Sequence, residues 1–428
     1  MILVDGNILD SREIEHILPS MEKRVCRTLQ KPVLDPMIVV EACNLLAERF
    51  EQGEYDELIG ELIKEQHIPA SQIQEIVRMF KRDSLLYKLK FELGNKPEDM
   101  ELSPPFHEGC GICRKRMPLG VLFHIAAGNV DGLPAYSVIE GLLTGNVNLL
   151  KLPAADHGFT VRLLSELIKL APVLAEYIYV FDTRSNDVKA MQAMAGCADA
   201  VVIWGGDAAI SSVRRLAPPN TKIIEWGHKI SFAYVTAQGM DETALTGLAH
   251  HILSTKQLLC SSCQGIFVDT DKMPDVYYFC EHFFPTFNKA ADEYPRPGIG
   301  IQAQLSLLLY NQELEAVSDG RRIYRGDHCS ILAVPDQKLE VSFTCGNCWV
   351  KPLSKKDIIR CLHRHKGYLQ TVGLLCGQEE QSQLSELFLR AGATRVTGGS
   401  DMSRMLCGET HDGEYPLQRY SKIAEYDK

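Results

Sequence analysis

From Pro118 to Trp226 the chain alternates short apolar runs with segments of helical periodicity, and this rhythm restricts the fold more than any other feature. The apolar runs include VLFHI, NLLK, IYVF, AVVIW and KIIEW. Continuous apolar strands separated by helices are typical of βαβ units, whose strands form a parallel sheet covered on both faces. A second block of the same kind begins after Val235. The sequence therefore predicts an α/β fold with two parallel-sheet domains.

The segments that flank these two blocks have different patterns. Residues 1–105 carry apolar residues mainly at helical spacing and end in a stretch rich in proline and charge, so we expect an N-terminal helical region. The two α/β domains then occupy 106–230 and 231–396, and a tail occupies 397–428. From Glu414 to Asp427 the tail alternates apolar and charged residues, as an exposed strand would; the apolar ones are Tyr415, Leu417, Tyr420, Ile423 and Tyr426.

Net charge, apolar runs and cysteine content limit which partners and which compartment the protein can have. The net charge of −10 argues against nucleic acid or an anionic membrane as the main partner. The N-terminus lacks a basic segment followed by an apolar one, and no uninterrupted apolar run has the length of a membrane span. Fourteen cysteines without a secretion signal indicate reduced thiols. We therefore expect a soluble, cytoplasmic protein.

Three Cys-x-x-Cys pairs raise the question of a metal or redox site: Cys110/Cys113, Cys260/Cys263 and Cys345/Cys348. The pairs are much farther apart than the ligand pairs of a compact zinc knuckle, and with so many cysteines chance pairing is a strong competitor. A thioredoxin-like pair would open a helix, whereas Cys260 precedes the apolar run GIFV. The remaining alternatives for Cys260 are an inert buried thiol and a nucleophile. Neither G-x-G-x-x-G nor a P-loop occurs, so any nucleotide site is of another kind.

Several segments together resemble the aldehyde dehydrogenase superfamily. They are, in order, PLGVLFHIAAGNVDGLP, LLTGNVNLLKLP, AVVIWGGDAAISSV, IIEWGHKISFAYV and the stretch around Cys260, which lies 35 residues after Glu225. Cys-Ser-Ser ahead of a strand, the downstream HKGYLQTVGL and the helical N-terminal region are most similar to the bacterial fatty acyl-CoA reductases that supply luciferase. The resemblance runs from Pro118 to the C-terminus. His228 replaces a glycine of the superfamily pattern, and Cys263 stands where the luciferase-linked reductases tend to have proline.

The resemblance implies catalytic roles for three residues. Cys260 would attack a thioester carbonyl, and the Asn129 amide together with the Cys260 backbone N–H would stabilise the oxyanion. Glu225 is ambiguous: in hydrolytic relatives this position activates water, whereas a reductase needs proton transfer but no water. Without the resemblance, Asn129 would be a turn residue.

The same resemblance implies a nicotinamide cofactor, NADPH with NADH as the alternative. Lys151 would contact its adenosine ribose, and Gly205 and Gly206 would let the backbone approach it. Residues 106–230 then become the cofactor-binding domain, 231–396 the catalytic domain and 397–428 an arm for oligomerisation. The expected substrate is an acyl-CoA, and the expected partners are further copies of the chain and an enzyme that transfers acyl groups.

Two other functions fit the same residues. One is a short-chain CoA-acylating aldehyde dehydrogenase, since acyl chain length depends on a tunnel built from residues distant in sequence. The other is a silent subunit that binds a nucleotide or an acyl-transferring partner, although the presence of Asn129, Glu225 and Cys260 together argues against it.

Overall fold

The computed structural model describes residues 1–57, 60, 70–94, 112–126, 132–153, 156 and 158–427. These residues form two compact units. Unit 1 comprises Met1–Gly227 and Met405–Lys428, and unit 2 comprises His228–Arg404. Each unit contains its own seven-stranded sheet and its own apolar core. The α/β class predicted from the alternating pattern is confirmed.

The sheet of unit 1 has the strand order β2-β1-β6-β5-β4-β7-β8. The five strands from β6 to β8 in that order are parallel, and β1 joins their edge in the antiparallel direction. Their side chains are mostly buried, which is why they appear in the sequence as apolar runs. The strands are β1 Ile2–Val4, β2 Asn7–Leu9, β4 Val121–Ile125, β5 Val147–Lys151, β6 Ile178–Phe181, β7 Ala200–Trp204 and β8 Lys222–Trp226.

Helices cover this sheet and fill the N-terminal part of unit 1. Asp35 and Asp187 accept backbone N–H groups as N-caps of two of them, as the sequence pattern of helix starts requires. The helices are α1 Ile14–Ile17, α2 Met21–Leu29, α3 Pro36–Glu51, α4 Ala70–Met79, α5 Arg82–Leu93, α6 Leu133–Leu143, α7 Phe159–Leu170, α8 Val188–Gly196, α9 Asp207–Leu216 and, near the C-terminus, Pro416–Arg419.

A buried charge cluster ties three of these helices together. The Lys88 ammonium of α5 lies 2.5 Å from Glu92 of the same helix and 3.0 Å from Glu140 of α6. The other carboxylate oxygen of Glu92 accepts the backbone N–H of Leu417 at 2.9 Å. Burial of Glu140, with the like charge of Glu92 nearby, raises the pKa of Glu140, while Lys88 opposes that rise. The N-terminal helices and the C-terminal segment are therefore joined within one unit.

The sheet of unit 2 has the order β11-β12-β13-β10-β9-β14-β15 and is parallel except for β11 at its edge. The strands are β9 Ile230–Val235, β10 Cys263–Val268, β11 Arg322–Arg325, β12 Ser330–Ala333, β13 Asn347–Pro352, β14 Leu369–Leu375 and β15 Arg395–Thr397. The helices are α10 Glu242–Ser254, α11 Met273–Ala291, α12 Ile299–Asp319, α13 Ile358–Leu362 and α14 Gln378–Ala391; the C-terminal helix of unit 1 follows as α15. Short 3-10 turns occur at Ser11–Glu13, Leu18–Ser20, Pro172–Glu176, Ala237–Gly239, Lys355–Asp357, His363–His365 and Gly399–Asp401.

A two-stranded antiparallel ribbon completes unit 1. Strand β3, Ile112–Pro118, pairs along its whole length with β16, Ser421–Asp427. The predicted strand therefore exists, but the prediction that it extends back to Glu414 is wrong. Leu417 lies in helix α15, and Leu417 and Tyr420 are buried in the apolar core of unit 1.

The N-terminal segment contains two strands as well as helices. The hairpin of β1 and β2 lies within this segment, for which the sequence indicated mainly helices. Within the described ranges, no helix combines the length and the apolar content needed to cross a bilayer.

Candidate active site

The carboxyl edge of the parallel sheet in unit 1 brings several of the predicted residues to the same side. Strand β5 ends at Lys151, β7 ends at Trp204 ahead of the Gly205–Gly206 turn, and Glu225 is the penultimate residue of β8. Glu225 pairs in register with Ile203 of the neighbouring strand. Open parallel sheets bind their ligands at this edge because the loops and helix N-termini converge there.

Lys151 is a buried cation at the end of its strand. Its ammonium donates to the Ser185 hydroxyl at 2.9 Å. Burial lowers the pKa of Lys151, and the charge of Asp182 opposes this shift. A buried ammonium with donors left over is suited to bind a hydroxyl group of a ligand.

The two glycines after β7 have different surroundings. A Cβ on Gly205 would lie 3.3 Å from the Cβ of Ala209, so the packing of helix α9 favours glycine there. A Cβ on Gly206 would meet no atom within 4 Å. Among the described residues, neither packing nor a positive φ requires glycine at position 206.

Glu225 forms a bidentate ion pair with Arg214 of helix α9. The guanidinium Nε lies 2.5 Å from one carboxylate oxygen and Nη2 lies 2.9 Å from the other. Sequence analysis did not identify Arg214, although a fork of this kind is the usual partner of a carboxylate. The Arg214 guanidinium thus binds both carboxylate oxygens of Glu225, the position that activates water in hydrolytic relatives.

Asn129 lies outside the described residues. Cys110 also lies outside them.

Cys260 of unit 2 lies in the turn between helix α10 and strand β10. Among the described cysteines only Cys26 and Cys260 are exposed. The Cys260 carbonyl accepts the hydroxyl of Ser231 at 2.6 Å, and the same hydroxyl oxygen accepts the backbone N–H of Thr371 at 3.0 Å. The backbone beneath the thiol is therefore attached to two neighbouring strands, β9 and β14.

Gln257 fixes the turn from inside. It is buried and has a φ of +61°, in the left-handed region that few side chains adopt. Its amide donates to the Cys263 carbonyl at 3.1 Å, and its side-chain oxygen accepts the Gly346 N–H at 3.1 Å. Leu259 and Ser262 close the turn through two hydrogen bonds of 3.0 Å each. The thiol of Cys260 is thus presented on a preorganised loop.

Cys263 begins strand β10 in the opposite environment. It is fully buried, and burial raises the pKa of its thiol to about 12. The thiol donates to the Gly265 carbonyl at 3.2 Å, and the Cys263 N–H donates to Nε2 of His251 at 3.3 Å. Burial also lowers the pKa of His251 to about 4, so the ring is neutral at pH 7 and can accept this bond. Cys263 is chemically silent as a thiol at neutral pH.

The other Cys-x-x-Cys pairs show no sign of a metal centre in the part of the chain that the structure describes. Cys113 and Cys348 are buried, and burial raises the pKa of Cys348 well above its usual value. Within those residues, no group of three or more His, Cys, Asp or Glu side chains is placed to hold a metal ion.

This arrangement of a parallel-sheet edge in one unit and an exposed cysteine ahead of a strand in the other was compared with known proteins. The model of the family described as acyl-CoA reductase (LuxC) matches residues 32–423. The chain belongs to the LuxC family.

Curated relatives of this LuxC-family chain are long-chain acyl-protein thioester reductases. One of them, long-chain acyl-protein thioester reductase 2 from Photobacterium leiognathi, is 26% identical over 325 residues. The match covers 73% of this chain and 65% of the relative. The match thus spans less than two thirds of the relative's length.

Solved structures establish the fold. Glyceraldehyde-3-phosphate dehydrogenase GapN from Methanocaldococcus jannaschii, complexed with NADP, has a TM-score of 0.72 at 14% identity and covers 99% of this chain and 95% of its own. A Sinorhizobium meliloti protein described as methylmalonate-semialdehyde dehydrogenase, complexed with NAD, has a TM-score of 0.74 at 12% identity and covers 100% and 97%. The aldehyde-dehydrogenase-like fold predicted from the sequence is confirmed.

Sequence analysis missed the residues that hold the LuxC-family cysteine in place. Ser231 contacts the turn from strand β9, His251 contacts it from helix α10, and Gln257 lies within the turn itself. One signal was available in the sequence: Gln257 and His251 are polar residues in or beside an apolar helix end close to Cys260. Chemically, the turn offers an accessible sulfur on a rigid backbone, as a nucleophile requires.

Proposed function

We propose that this chain reduces a long-chain acyl thioester to the aldehyde through a covalent thioester on Cys260. The observation that carries the proposal is the contrast within one Cys-x-x-Cys pair. Cys260, at the position expected for the nucleophile, is exposed on a preorganised turn, whereas Cys263 is buried with a thiol pKa of about 12. Family membership and the names of the curated relatives support the same reaction class.

The first half-reaction needs only residues of the chain and the acyl donor. The Cys260 thiolate adds to the acyl carbonyl, the tetrahedral oxyanion collapses, and the donor thiol leaves with a proton while the acyl group stays on sulfur. In this proposal the Cys260 N–H and the Asn129 side-chain amide stabilise the oxyanion. One such donor typically lowers the barrier by about 3 kcal/mol.

The second half-reaction requires a nicotinamide cofactor, with NADPH proposed and NADH as the alternative. When bound, the reduced cofactor supplies the hydride that converts the thioester to the aldehyde level. Lys151 would hold a ribose hydroxyl, and Gly205 and Gly206 would leave the backbone open to the cofactor. The burial of Lys151 at the sheet edge and the open space above Gly206 fit this assignment.

The acyl donor is proposed to be an acyl-CoA or an acylated protein. The first follows the family description, and the second follows the printed name of the curated relatives. An acyl-transferring partner enzyme and further copies of this chain are proposed as partners. We also propose residues 106–230 as the cofactor-binding domain, 231–396 as the catalytic domain and 397–428 as an oligomerisation arm after the N-terminal helical region 1–105.

The decisive experiment is intact-protein mass spectrometry after incubation with a long-chain acyl-CoA and no cofactor. Wild-type protein and Cys263→Ala should each gain one acyl group, and Cys260→Ala should gain none. Cys26→Ala is the matched control because Cys26 is the other exposed cysteine among the described residues. Acylation that survived in Cys260→Ala, or was lost equally in Cys263→Ala, would contradict the assignment.

Turnover is then measured with acyl-CoAs of graded length and with NADPH or NADH, following cofactor absorbance and aldehyde. Faster oxidation with long than with short chains is expected. A preference for short chains would favour a CoA-acylating aldehyde dehydrogenase. Acylation of Cys260 without any cofactor oxidation would instead indicate a subunit that only transfers acyl groups.

A further inference from the structure

Helix α12, Ile299–Asp319, is attached to unit 2 by very few side chains. Among its described side chains, Leu309 is the only apolar one that is buried. Two ion pairs add to this attachment, Arg321 with Glu315 at 2.6 Å and Arg325 with Glu313 at 3.2 Å. Helices in proteins owe most of their stability to tertiary packing of an apolar face. The opposite face of α12 therefore needs an explanation.

That face carries a continuous apolar stripe, the α12 seam, formed by Ile299, Ala303, Leu307, Tyr310 and Leu314. The four large side chains are 86%, 62%, 54% and 57% exposed, in chain order. The spacing of the last four residues is four, three and four, which is the spacing of residues that face a second helix in a coiled coil. Exposed apolar patches of this kind usually mark an interaction surface.

The chemistry of the seam limits what can cover it. No charged residue occurs from Ile299 to Gln312, whereas helices that lie on membrane surfaces carry Lys and Arg on their polar face. A single acyl chain needs a concave site, and a helix face is convex. Another helix is the occupant that the spacing fits.

Four of the five seam residues are placed symmetrically along the helix, and Leu307 lies next to the centre. Ile299 and Leu314 are equally distant from a point between Ser306 and Leu307, and so are Ala303 and Tyr310. A two-fold axis at that point would place Ile299 against Leu314 of a second copy and the small Ala303 against the large Tyr310. Such self-complementarity is a requirement of two-fold contacts between identical chains and is not needed for a different partner.

We propose that two copies of this chain associate through antiparallel packing of their α12 seams. Antiparallel packing is favourable for the helix dipoles, because it places the positive end of each helix beside the negative end of the other. It also brings Arg296, which precedes the helix, toward the acidic end of the other copy, where Glu313 and Glu315 lie. This contact is separate from the C-terminal ribbon and does not depend on the proposed reaction.

The test measures molar mass by light scattering over a dilution series, with circular dichroism to verify folding. Leu307→Glu places two carboxylates beside the axis and should reduce the wild-type mass by half. Leu389→Glu is the matched control, because Leu389 is also an exposed leucine on a helix of unit 2, and it should keep the wild-type mass.

Orientation is tested by exchanging charges. Ile299→Lys and Leu314→Glu should each reduce the mass, and the double variant should restore it, because antiparallel packing pairs each new lysine with a new glutamate. In parallel packing the double variant would stay dissociated, which would overturn the orientation. A wild-type protein that is monomeric throughout, or a folded Leu307→Glu variant with unchanged mass, would overturn the proposal. Flotation of the wild type with phosphatidylcholine vesicles, lost in Leu307→Glu, would also overturn it in favour of a lipid surface.

Discussion

At the scale of single residues, the environment of each side chain decides which chemistry it can perform. Cys260 and Cys263 belong to one Cys-x-x-Cys pair, yet Cys260 is exposed and Cys263 is buried with a raised thiol pKa. Glu225 is held by both nitrogens of the Arg214 fork. A carboxylate bound in this way keeps fewer lone pairs to accept a proton from water, which suits the proposed reaction, whose acyl intermediate must not be hydrolysed.

The first residue-scale prediction concerns Asn129. Asn129→Ala should slow acylation of Cys260 by roughly 100-fold, because one oxyanion donor is lost, and should leave the cofactor dissociation constant nearly unchanged. Stopped-flow acylation and a separate cofactor titration distinguish the two effects. A variant that mainly weakened cofactor binding or unfolded would show that Asn129 is a turn residue.

The second residue-scale prediction concerns the Arg214–Glu225 pair. Arg214→Ala should increase hydrolysis of the acyl-enzyme relative to reduction by roughly tenfold, since general bases contribute about 10²–10⁴-fold. Glu225→Gln should lower hydrolysis, and the double variant should resemble Glu225→Gln. Because the Arg214 side chain is exposed, its loss should leave the stability of the fold nearly unchanged. The ratio of fatty acid to aldehyde measures the effect, and an Arg214→Ala ratio equal to that of wild type would contradict it.

At the scale of elements, the C-terminal segment performs two structural tasks in succession. Helix α15 buries Leu417, and its backbone is bound by Glu92, so this part belongs to the core of unit 1. Strand β16 then pairs only with β3 among the described strands, and Ile423 and Tyr426 remain exposed. A ribbon of two strands leaves open edges, and open edges are usually covered by a further strand or another chain.

Because α15 belongs to the core and β16 does not, the strand can be removed without the helix. Removing the residues after Ser421 deletes all of β16 except its first residue and leaves Leu417 and Tyr420 in place. If the ribbon pairs between subunits, the truncated protein should shift toward lower mass and should form more fatty acid relative to aldehyde. Glu425→Gln is the control, because it breaks only the ion pair with Arg114 and keeps the strand. A truncated protein with unchanged mass and unchanged product ratio would remove the ribbon from assembly.

At the scale of the whole molecule, each unit has a core with one deeply buried histidine. His124 in unit 1 contacts Ser137 at 2.8 Å and Asn148 at 3.0 Å, and His251 in unit 2 accepts the Cys263 N–H. Burial lowers the pKa of both rings to about 4. Both rings are therefore neutral in the folded protein at pH values where the unfolded chain already binds the proton.

The sign of the pH dependence follows from this difference. Above pH 6.5 neither state is protonated and the histidines have no effect; below it the unfolded state gains protons, and stability falls until the folded rings titrate near pH 4. At pH 5 each histidine should lower the free energy of unfolding of its unit by about 2 kcal/mol relative to pH 7. Urea unfolding at pH 7 and pH 5 measures the loss.

His251→Gln keeps an acceptor for the Cys263 N–H and should reduce the loss in unit 2. The exposed His282→Gln is the control substitution in the same unit. A pH dependence identical in wild type and His251→Gln would contradict the assignment.

Much of the fold was accessible from the sequence because it depends on local pattern. Parallel strands buried on both faces must be apolar throughout, so the alternation from Pro118 to Trp226 and its repetition in unit 2 predicted both sheets. The order of motifs around Glu225 and Cys260 predicted the family through their resemblance to the aldehyde dehydrogenase superfamily. The hairpin of β1 and β2 was missed, since three-residue strands are too short to show a period.

Other features depended on contacts between residues far apart in the chain. Alternation suggested one exposed strand from Glu414, but the core of unit 1 captures Leu417 and Tyr420, and only β16 is extended. Cys260 is exposed and Cys263 is buried, although both belong to one Cys-x-x-Cys pair. The bidentate ion pair between Arg214 and Glu225 joins helix α9 to strand β8. The class of fold could be predicted from the sequence because it follows from local pattern, and the candidate residues could be predicted because the motifs resemble a known superfamily. Only the tertiary structure decided which side chains are exposed, paired or buried, because desolvation and ion pairing depend on neighbours that the fold brings together.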